Sequence, residues 1–420
     1  MGLGMKRLFC VPNIVLALLC LMYFITYVDR VNISTAASEI QAEFGFSNTQ
    51  LGLIFSAFAY PYLLFQVFGG WVGDRFGARK TLFWCGMIWA LATMLTGFVN
   101  GLVSLFIVRM LVGLGEGATF PTATRAMQNW TSSARRGFAQ GITHAFARLG
   151  NAITPPLIAL LMAAFTWRGS FVLLGAVSMI WVLVWVLYFR NDPKEHPHIT
   201  QADLDEIQPK QYGDRPKVPW GPLMKRMWPV TLTYFCYGWT LWLYLNWLPL
   251  FFKTNYDMDI RKSAIFASGV FFAGVVGDTL GGVLSDYVLK RTGNLRLARI
   301  GVTVFGFCGA FLSLLPILYV RDPVIVALCL SGGFFFAELV IGPMWAVPMD
   351  IAPRYAGTSA GLMNTGSAFA AIVSPLVAGY VIDVTGNWYL PFLMSMGLLA
   401  LGAMTAFLMH PEKPFEETAP

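Results

Sequence analysis

Charged residues are scarce in this sequence. Only 12% of its 420 residues are Asp, Glu, Lys or Arg, about half the fraction that is usual in soluble proteins. Hydrophobic residues make up 56% of the chain. Apolar runs of about twenty residues recur along it, which is the length that an α-helix needs to cross a bilayer. The shortage of charge therefore excludes an ordinary soluble protein and predicts an all-α membrane protein.

Cysteine and histidine are also few. The six cysteines fall singly, and there are four histidines. Neither residue type shows the spacing of a metal site, and we find no phosphate-binding loop and no large external segment. The net charge of +7 does not indicate nucleic acid, because the basic residues lie in short loops between apolar runs. These absences argue against an enzyme, a receptor, a metal centre and a nucleic-acid partner.

The apolar runs predict two pseudo-symmetric six-helix bundles, at residues 1–190 and 225–420. The twelve predicted spans are at about 11–38, 49–73, 80–100, 102–128, 137–165, 168–190, 225–253, 263–290, 297–320, 323–350, 356–384 and 387–410. The polar, proline-containing segment 191–224 between the two bundles is predicted to be a cytoplasmic linker. Of the 29 lysines and arginines, 21 fall at the termini and in even-numbered loops and five in the other loops. Both termini are therefore expected in the cytoplasm. The glycine-rich loop that carries Asp74 returns in degenerate form around Asp286, which favours a parallel repeat with a central site.

Five charged residues within apolar runs are the candidates for function: Asp29, Arg30, Arg109, Glu116 and Arg148. Placing a charged side chain in the hydrocarbon of a bilayer costs on the order of several kcal/mol. A charged residue in a transmembrane helix therefore indicates a functional site by default. Arg109 and Glu116 are seven residues apart and therefore lie on one helix face, about 10 Å from each other. The alternatives are a purely structural ion pair between Arg109 and Glu116 and a mutually neutralising pair formed by Asp29 and Arg30. Burial favours the neutral form of a carboxyl group and a nearby arginine the charged form, so a substrate anion that occupies the arginine would promote protonation.

The loop Gly-x-x-x-Asp-Arg-x-Gly-x-Arg-Lys at 70–80 resembles the signature of the major facilitator superfamily. Stretches at 27–34, 109–121 and 350–366 look like the anion:cation symporter family. That family includes bacterial galactonate, glucarate and hexuronate transporters and the animal sialin and vesicular glutamate carriers. The resemblance implies a proton-coupled symporter that imports an organic anion by alternating access, with an aldonate, aldarate or hexuronate expected. An aromatic acid or a dicarboxylate stays open as the substrate, as does a facilitator or antiporter of the same fold.

The resemblance also implies roles for individual residues. Asp29 and Glu116 are expected to be the proton-coupling carboxylates. The expected substrate-binding residues are Tyr27, Arg30, Tyr62, Arg109, Arg148, Trp345 and Asn364. The match is looser at Arg148, for which pairing with Glu116 or Asp29 is the alternative. Whether Arg109 contacts the substrate or only controls the charge of Glu116 stays open.

Two further sets follow from the residues themselves. Charges at helix ends on the cytoplasmic side can pair across a closed gate, and the candidates are Asp74, Arg75, Arg79 and Arg136. A topogenic charge cluster is the plain alternative. Tyr234, Tyr237, Leu241 and Tyr244 form a stripe on the seventh span, which is either core or ligand contact. Glu338 and Asp278 also fall within apolar runs, and for both we predict hydrogen bonding between helices.

The expected partners are a small organic anion, H⁺ as the coupling ion and the lipid bilayer. No cofactor, metal or nucleic acid is expected, and we expect a monomer. Compact loops without an external Asn-x-Ser/Thr sequon favour the bacterial inner membrane.

Overall fold

The structure is a computed structural model that describes residues 10–131, 136–207, 218–352 and 355–415. Helices dominate these residues, and none of the described residues forms a β-strand. The helices before residue 210 are α1 (Val11–Phe44), α2 (Asn48–Ala57), α3 (Ala59–Phe76), α4 (Ala78–Thr96), α5 (Leu102–Gly117), α6 (Thr119–Trp130), α7 (Arg136–Tyr188) and α8 (Gln201–Ile207). Those after it are α9 (Trp220–Asn255), α10 (Ile260–Thr292), α11 (Val302–Leu314), α12 (Pro323–Leu339), α13 (Ile341–Ile351), α14 (Ala356–Thr385) and α15 (Leu390–Ala406).

Several of the predicted spans have different boundaries in the structure. The span predicted at 102–128 is divided into α5 and α6 at Ala118, whose φ and ψ are −89° and −8°. Pro121 favours this break, since it has no N–H to donate to the carbonyl group one turn before it. Helix α7 covers the two spans predicted at 137–165 and 168–190, but Thr166 within it is non-helical, with φ 62°. The predicted turn between these spans is therefore present.

Seven helical segments of the described residues are long and apolar enough to cross a membrane. They are Val11–Phe44, Leu102–Met127, Gly141–Tyr188, Ile260–Thr292, Leu297–Leu318, Pro323–Ile351 and Thr358–Thr385. A membrane protein is thereby confirmed, and the total of twelve spans stays a prediction.

The first of two compact units comprises Met1–Asn32, Tyr60–Gly150 and Leu161–Arg215. Its core contains a column of stacked aromatic rings at the end of α7, continued by Phe189 just after the helix. The ring centroids of Trp181 and Trp185 are 5.5 Å apart, and those of Trp185 and Phe189 are 4.1 Å apart. Trp89 of α4 stacks on Trp181 at 5.7 Å. A Cβ atom on Gly115 would lie 2.7 Å from the backbone nitrogen of Trp89, so this glycine lets α5 approach α4 closely.

The second unit comprises Ile33–Ala59, Asn151–Leu160 and Pro216–Pro420. It therefore includes the end of α1 and all of α2. Asp383 of α14 accepts hydrogen bonds from the backbone nitrogens of Asn48 and Thr49, at 3.0 and 2.6 Å, where α2 begins. These N–H groups have no partner within their own helix, and a carboxylate is favourable at a helix N-terminus. Asp383 thus joins α14 to the start of α2.

Helices α10 and α12 of the second unit pack through glycine. A Cβ atom on Gly277 would lie 2.1 Å from the carbonyl oxygen of Phe335, whereas nothing lies within 4 Å of a Cβ atom on Gly269 of the same helix. We therefore expect Gly277→Ala to destabilise the protein by about 1–3 kcal/mol through overpacking. Gly269→Ala is the matched control and is expected to melt at or above the wild-type temperature. Thermal melting of both purified variants in detergent tests this packing, and equal melting temperatures would contradict it.

Candidate functional site

A close contact between two buried charges joins α1 to α5. The Nε atom of Arg30 lies 2.7 Å from Oε2 of Glu116, and the side chains are 4% and 0% exposed. The sequence offered Arg109 as the arginine that controls the charge of Glu116, which stays a prediction, and the structure adds Arg30 as a bonded partner. Arg109 and Glu116 lie on one face but two turns apart along α5, whereas Arg30 reaches Glu116 from a neighbouring helix. Spacing along one helix therefore did not reveal the contact with Arg30.

Three aromatic rings surround the guanidinium group of Arg30. Its Cζ atom lies 4.7 Å from the ring centroid of Tyr27, 4.9 Å from that of Tyr62 and 4.9 Å from that of Phe120. Each ring is close enough for a cation–π interaction, which is stronger where water is excluded. The sequence predicted Tyr27 and Tyr62 near the site but missed Phe120. Its place four residues after Glu116, in the stretch with two charges, was the available signal.

Asp29 faces a different neighbour from Arg30. Its side chain is buried, and Oδ2 accepts a hydrogen bond of 3.3 Å from Ser178 Oγ on α7. Asn32, one turn further along α1, donates to Oδ1 at 3.4 Å. Consecutive helical residues point about 100° apart, as the sequence indicated for this pair. The described partners of Asp29 are neutral groups, and Ser178 carried no signal in the sequence because a serine in an apolar helix usually bonds its own turn.

Two further buried arginines, Arg109 and Arg148, lie near the same part of α1. Arg109 is 3% exposed, and its Nη1 donates to the backbone oxygen of Asp29 at 3.3 Å. Arg148 is 9% exposed, and its Cζ lies 5.9 Å from the ring centroid of Tyr27. We call Asp29, Arg30, Arg109, Glu116 and Arg148 the buried charge cluster. With both carboxyl groups ionised it holds three positive and two negative charges, and so favours an anion.

The second unit holds the remaining predicted substrate residues. Trp345 of α13 is 36% exposed, and its Nε1 donates to the hydroxyl group of Tyr234 at 2.9 Å. Asn364 is half-buried on α14. The hydroxyl group of Tyr237 donates to Oε1 of Glu338 at 2.9 Å, so the predicted hydrogen bond between helices is present. The roles of Trp345 and Asn364 toward a substrate stay predictions.

The structure describes two of the four predicted gate side chains. Arg79 donates from Nε and Nη2 to the carbonyl oxygen of Val186, at 2.9 and 2.7 Å, and so ties α4 to the end of α7. Arg75 is exposed, with its Cζ 5.7 Å from the ring centroid of Phe76. The side chains of Asp74 and Arg136 lie outside the described part of the structure. Gating by these residues stays a prediction.

Comparison with known proteins identifies the family. Residues 19–375 match the model of the Major Facilitator Superfamily. The chain belongs to this superfamily. It is 48% identical to the probable sulfoacetate transporter SauU of Cupriavidus necator, over 97% of this chain and 96% of that protein. It is 31% identical to the D-galactonate transporter of Escherichia coli (92% and 94% covered) and 30% identical to the hexuronate transporter of Bacillus subtilis (93% and 92%).

Solved structures support the superfamily fold. A bacterial homolog of the human lysosomal transporter Spinster, solved in an inward-facing and occupied conformation, superposes with a TM-score of 0.80. The two sequences are only 17% identical, and the match covers 97% of this chain and 99% of the other. This major facilitator superfamily chain is therefore a multi-pass membrane transporter and not an enzyme, as the sequence predicted.

The Arg30–Glu116 pair predicts a specific pattern of stability. Removing one member of a buried ion pair leaves the other charge uncompensated, at a cost of about 3–5 kcal/mol in soluble proteins. We therefore expect Arg30→Met to lower the melting temperature markedly and Arg30→Met with Glu116→Leu to recover much of the loss. Thermal melting of the purified variants at neutral pH checks this. A double variant at least as unstable as the sum of the two single variants would contradict the pairing.

Proposed function

We propose that the chain is a proton-coupled symporter that imports a small organic anion by alternating access. The observation that carries the proposal is the Arg30–Glu116 pair, buried at 2.7 Å inside a cluster with three arginines. A permanent buried ion pair stabilises less well than apolar packing, so stability alone does not explain its presence. We place the protein in the bacterial inner membrane with both termini in the cytoplasm.

The positive excess of the buried charge cluster supports an anionic substrate. A guanidinium group can bind a carboxylate or sulfonate through two parallel hydrogen bonds, and Arg30, Arg109 and Arg148 all have this capacity. The names of the relatives point to sulfoacetate and sugar acids, which are the first candidates here. A sugar acid would also need partners for its hydroxyl groups, and Tyr27, Tyr62, Trp345 and Asn364 could supply them.

The same contacts suggest how a proton would be coupled. Arg30 neutralises Glu116, so an anion that binds Arg30 competes with this carboxylate. A buried carboxylate that loses its cation is costly and gains a proton more readily. Asp29, held by neutral donors, is the second proton carrier in this scheme. Substrate and protons would then leave together when alternating access exposes the cluster to the cytoplasm, with Asp74, Arg75, Arg79 and Arg136 acting at the gate.

Glu116→Gln tests the coupling, because the amide has nearly the same shape but cannot carry the proton. In proteoliposomes with an imposed pH gradient, we expect the variant to lose substrate accumulation above equilibrium and to keep counterflow exchange. Glu43→Gln is the matched control, since Glu43 is exposed on α1, and it is expected to accumulate substrate normally. Proton-driven accumulation by Glu116→Gln would exclude Glu116 as the coupling residue. If the wild type and both variants all failed to accumulate substrate, a facilitator would be favoured.

A ligand screen by thermal melting tests the substrate class. A ligand at a hundred times its Kd stabilises the folded state by about 2.7 kcal/mol. We expect sulfoacetate or a sugar acid to raise the melting temperature, while aromatic acids and dicarboxylates form the comparison set. The same ligand should have no effect on Arg30→Gln, because the variant lacks the guanidinium group. Stabilisation by cations or neutral sugars alone would be incompatible with an anion transporter.

A further inference from the structure

Glu338 is a buried carboxyl group that the coupling scheme does not use. It lies in the last turn of α12, in the second unit, and is 0% exposed. A carboxyl group at such a position in a transmembrane helix is costly, and an apolar side chain of similar size would pack there without that cost. Helix packing alone therefore does not account for this residue.

Glu338 begins a continuous series of contacts that ends at Trp345. Tyr237 Oη of α9 donates to Glu338 Oε1 at 2.9 Å. The ring of Tyr237 packs against that of Tyr234, one turn earlier on α9, with centroids 5.1 Å apart. Tyr234 Oη accepts from Trp345 Nε1 at 2.9 Å. We call these four residues the Glu338 chain.

The Glu338 chain spans a break between two helices. Helix α12 ends at Leu339 and α13 begins at Ile341, so Glu338 and Trp345 lie on either side of Val340 within the segment Pro323–Ile351. Both are bonded to tyrosines of the single helix α9, which ties the two sides of Val340 to the same helix. The indole ring of Trp345 stands almost perpendicular to the ring of Tyr234, at 88°, with its N–H group engaged. Its 36% exposed surface is thus held in one orientation.

A third helix limits the movement of Glu338. A Cβ atom on Gly274 of α10 would lie 3.1 Å from Glu338 Cγ and 2.5 Å from the ring of Phe334. Helix α10 is therefore packed directly against the carboxyl-bearing turn of α12. This close packing leaves little space on the α10 side of the Glu338 side chain.

From these contacts we propose that Glu338 is a positioning residue that sets substrate affinity and selectivity by orienting Trp345 through Tyr237 and Tyr234. It acts as a hydrogen-bond acceptor and takes no part in proton coupling. This inference rests on the proposed function, in which Trp345 contacts the substrate.

The test compares variants of the Glu338 chain in substrate counterflow, which needs no proton gradient. Tyr237→Phe and Glu338→Leu each remove the bond, and each is expected to raise the apparent KM about three- to tenfold, the range for one hydrogen bond. Vmax is expected to stay unchanged. Glu338→Gln keeps an acceptor oxygen and should retain the wild-type KM. The double variant that combines Tyr237→Phe with Glu338→Leu should have a KM no higher than that of the poorer single variant, because both changes remove the same bond.

Tyr244→Phe is the matched control on the same stripe of α9. Tyr244 is 0% exposed and stacks on Phe334 with centroids 4.9 Å apart. Its hydroxyl group has no hydrogen-bond partner among the described residues. Removing this hydroxyl group is therefore expected to leave KM and selectivity unchanged, which separates the bond to Glu338 from a general effect of losing a buried hydroxyl.

Three outcomes would overturn the proposal. The first is an unchanged KM in Tyr237→Phe and Glu338→Leu when both melt like the wild type. The second is a Glu338→Gln variant as impaired as Glu338→Leu, which would require the charge and not the acceptor. The third is a loss of proton-driven accumulation in Tyr237→Phe or Glu338→Leu while the KM measured in counterflow is unchanged. If Glu338→Leu does not fold, the KM of Tyr237→Phe decides whether the proposal holds, since this change removes only the hydroxyl group that bonds Glu338. A wild type without proton-driven accumulation would refute the coupling and leave this counterflow test intact.

Discussion

The ion pair between Arg30 and Glu116 is the contact that constrains the first unit most. Two charges can be buried together only if their helices hold them at hydrogen-bond distance. Glycines allow that approach around the pair. A Cβ atom on Gly117 would lie 2.6 Å from Cβ of Phe65, and one on Gly150 would lie 2.8 Å from the backbone oxygen of Phe24. Larger residues at these positions would move α3 or α7 and disturb the rings around Arg30.

The two units carry different chemistry. All three buried arginines of the charge cluster, with Asp29 and Glu116, belong to the first unit. The Glu338 chain of the second unit consists of aromatic rings, hydroxyl groups and one carboxyl group. Charge that can be neutralised by a proton suits coupling, whereas oriented rings and hydroxyl groups suit discrimination between substrates. This division explains why coupling and affinity should be separable by mutation.

Partner identity was the weakest part of the sequence interpretation. Spacing placed Arg109 and Glu116 on one helix face correctly, but the bond of 2.7 Å to Glu116 comes from Arg30. Phe120 and Ser178 were missed for the same reason, because each matters only through a residue of α1. The division of the predicted span at Ala118 was missed since apolar composition continues across it, although Pro121 was visible.

The sequence by itself determined the membrane class, the superfamily and the positions of the intramembrane charges. These follow from apolar run length, from a local loop signature and from charge content, and none of them depends on how helices meet. Only the tertiary structure decided that Arg30 neutralises Glu116, that Asp29 bonds Ser178 and that Trp345 bonds Tyr234. Each of these contacts depends on the rotation and approach of helices that are distant in sequence, which periodicity within one helix cannot specify.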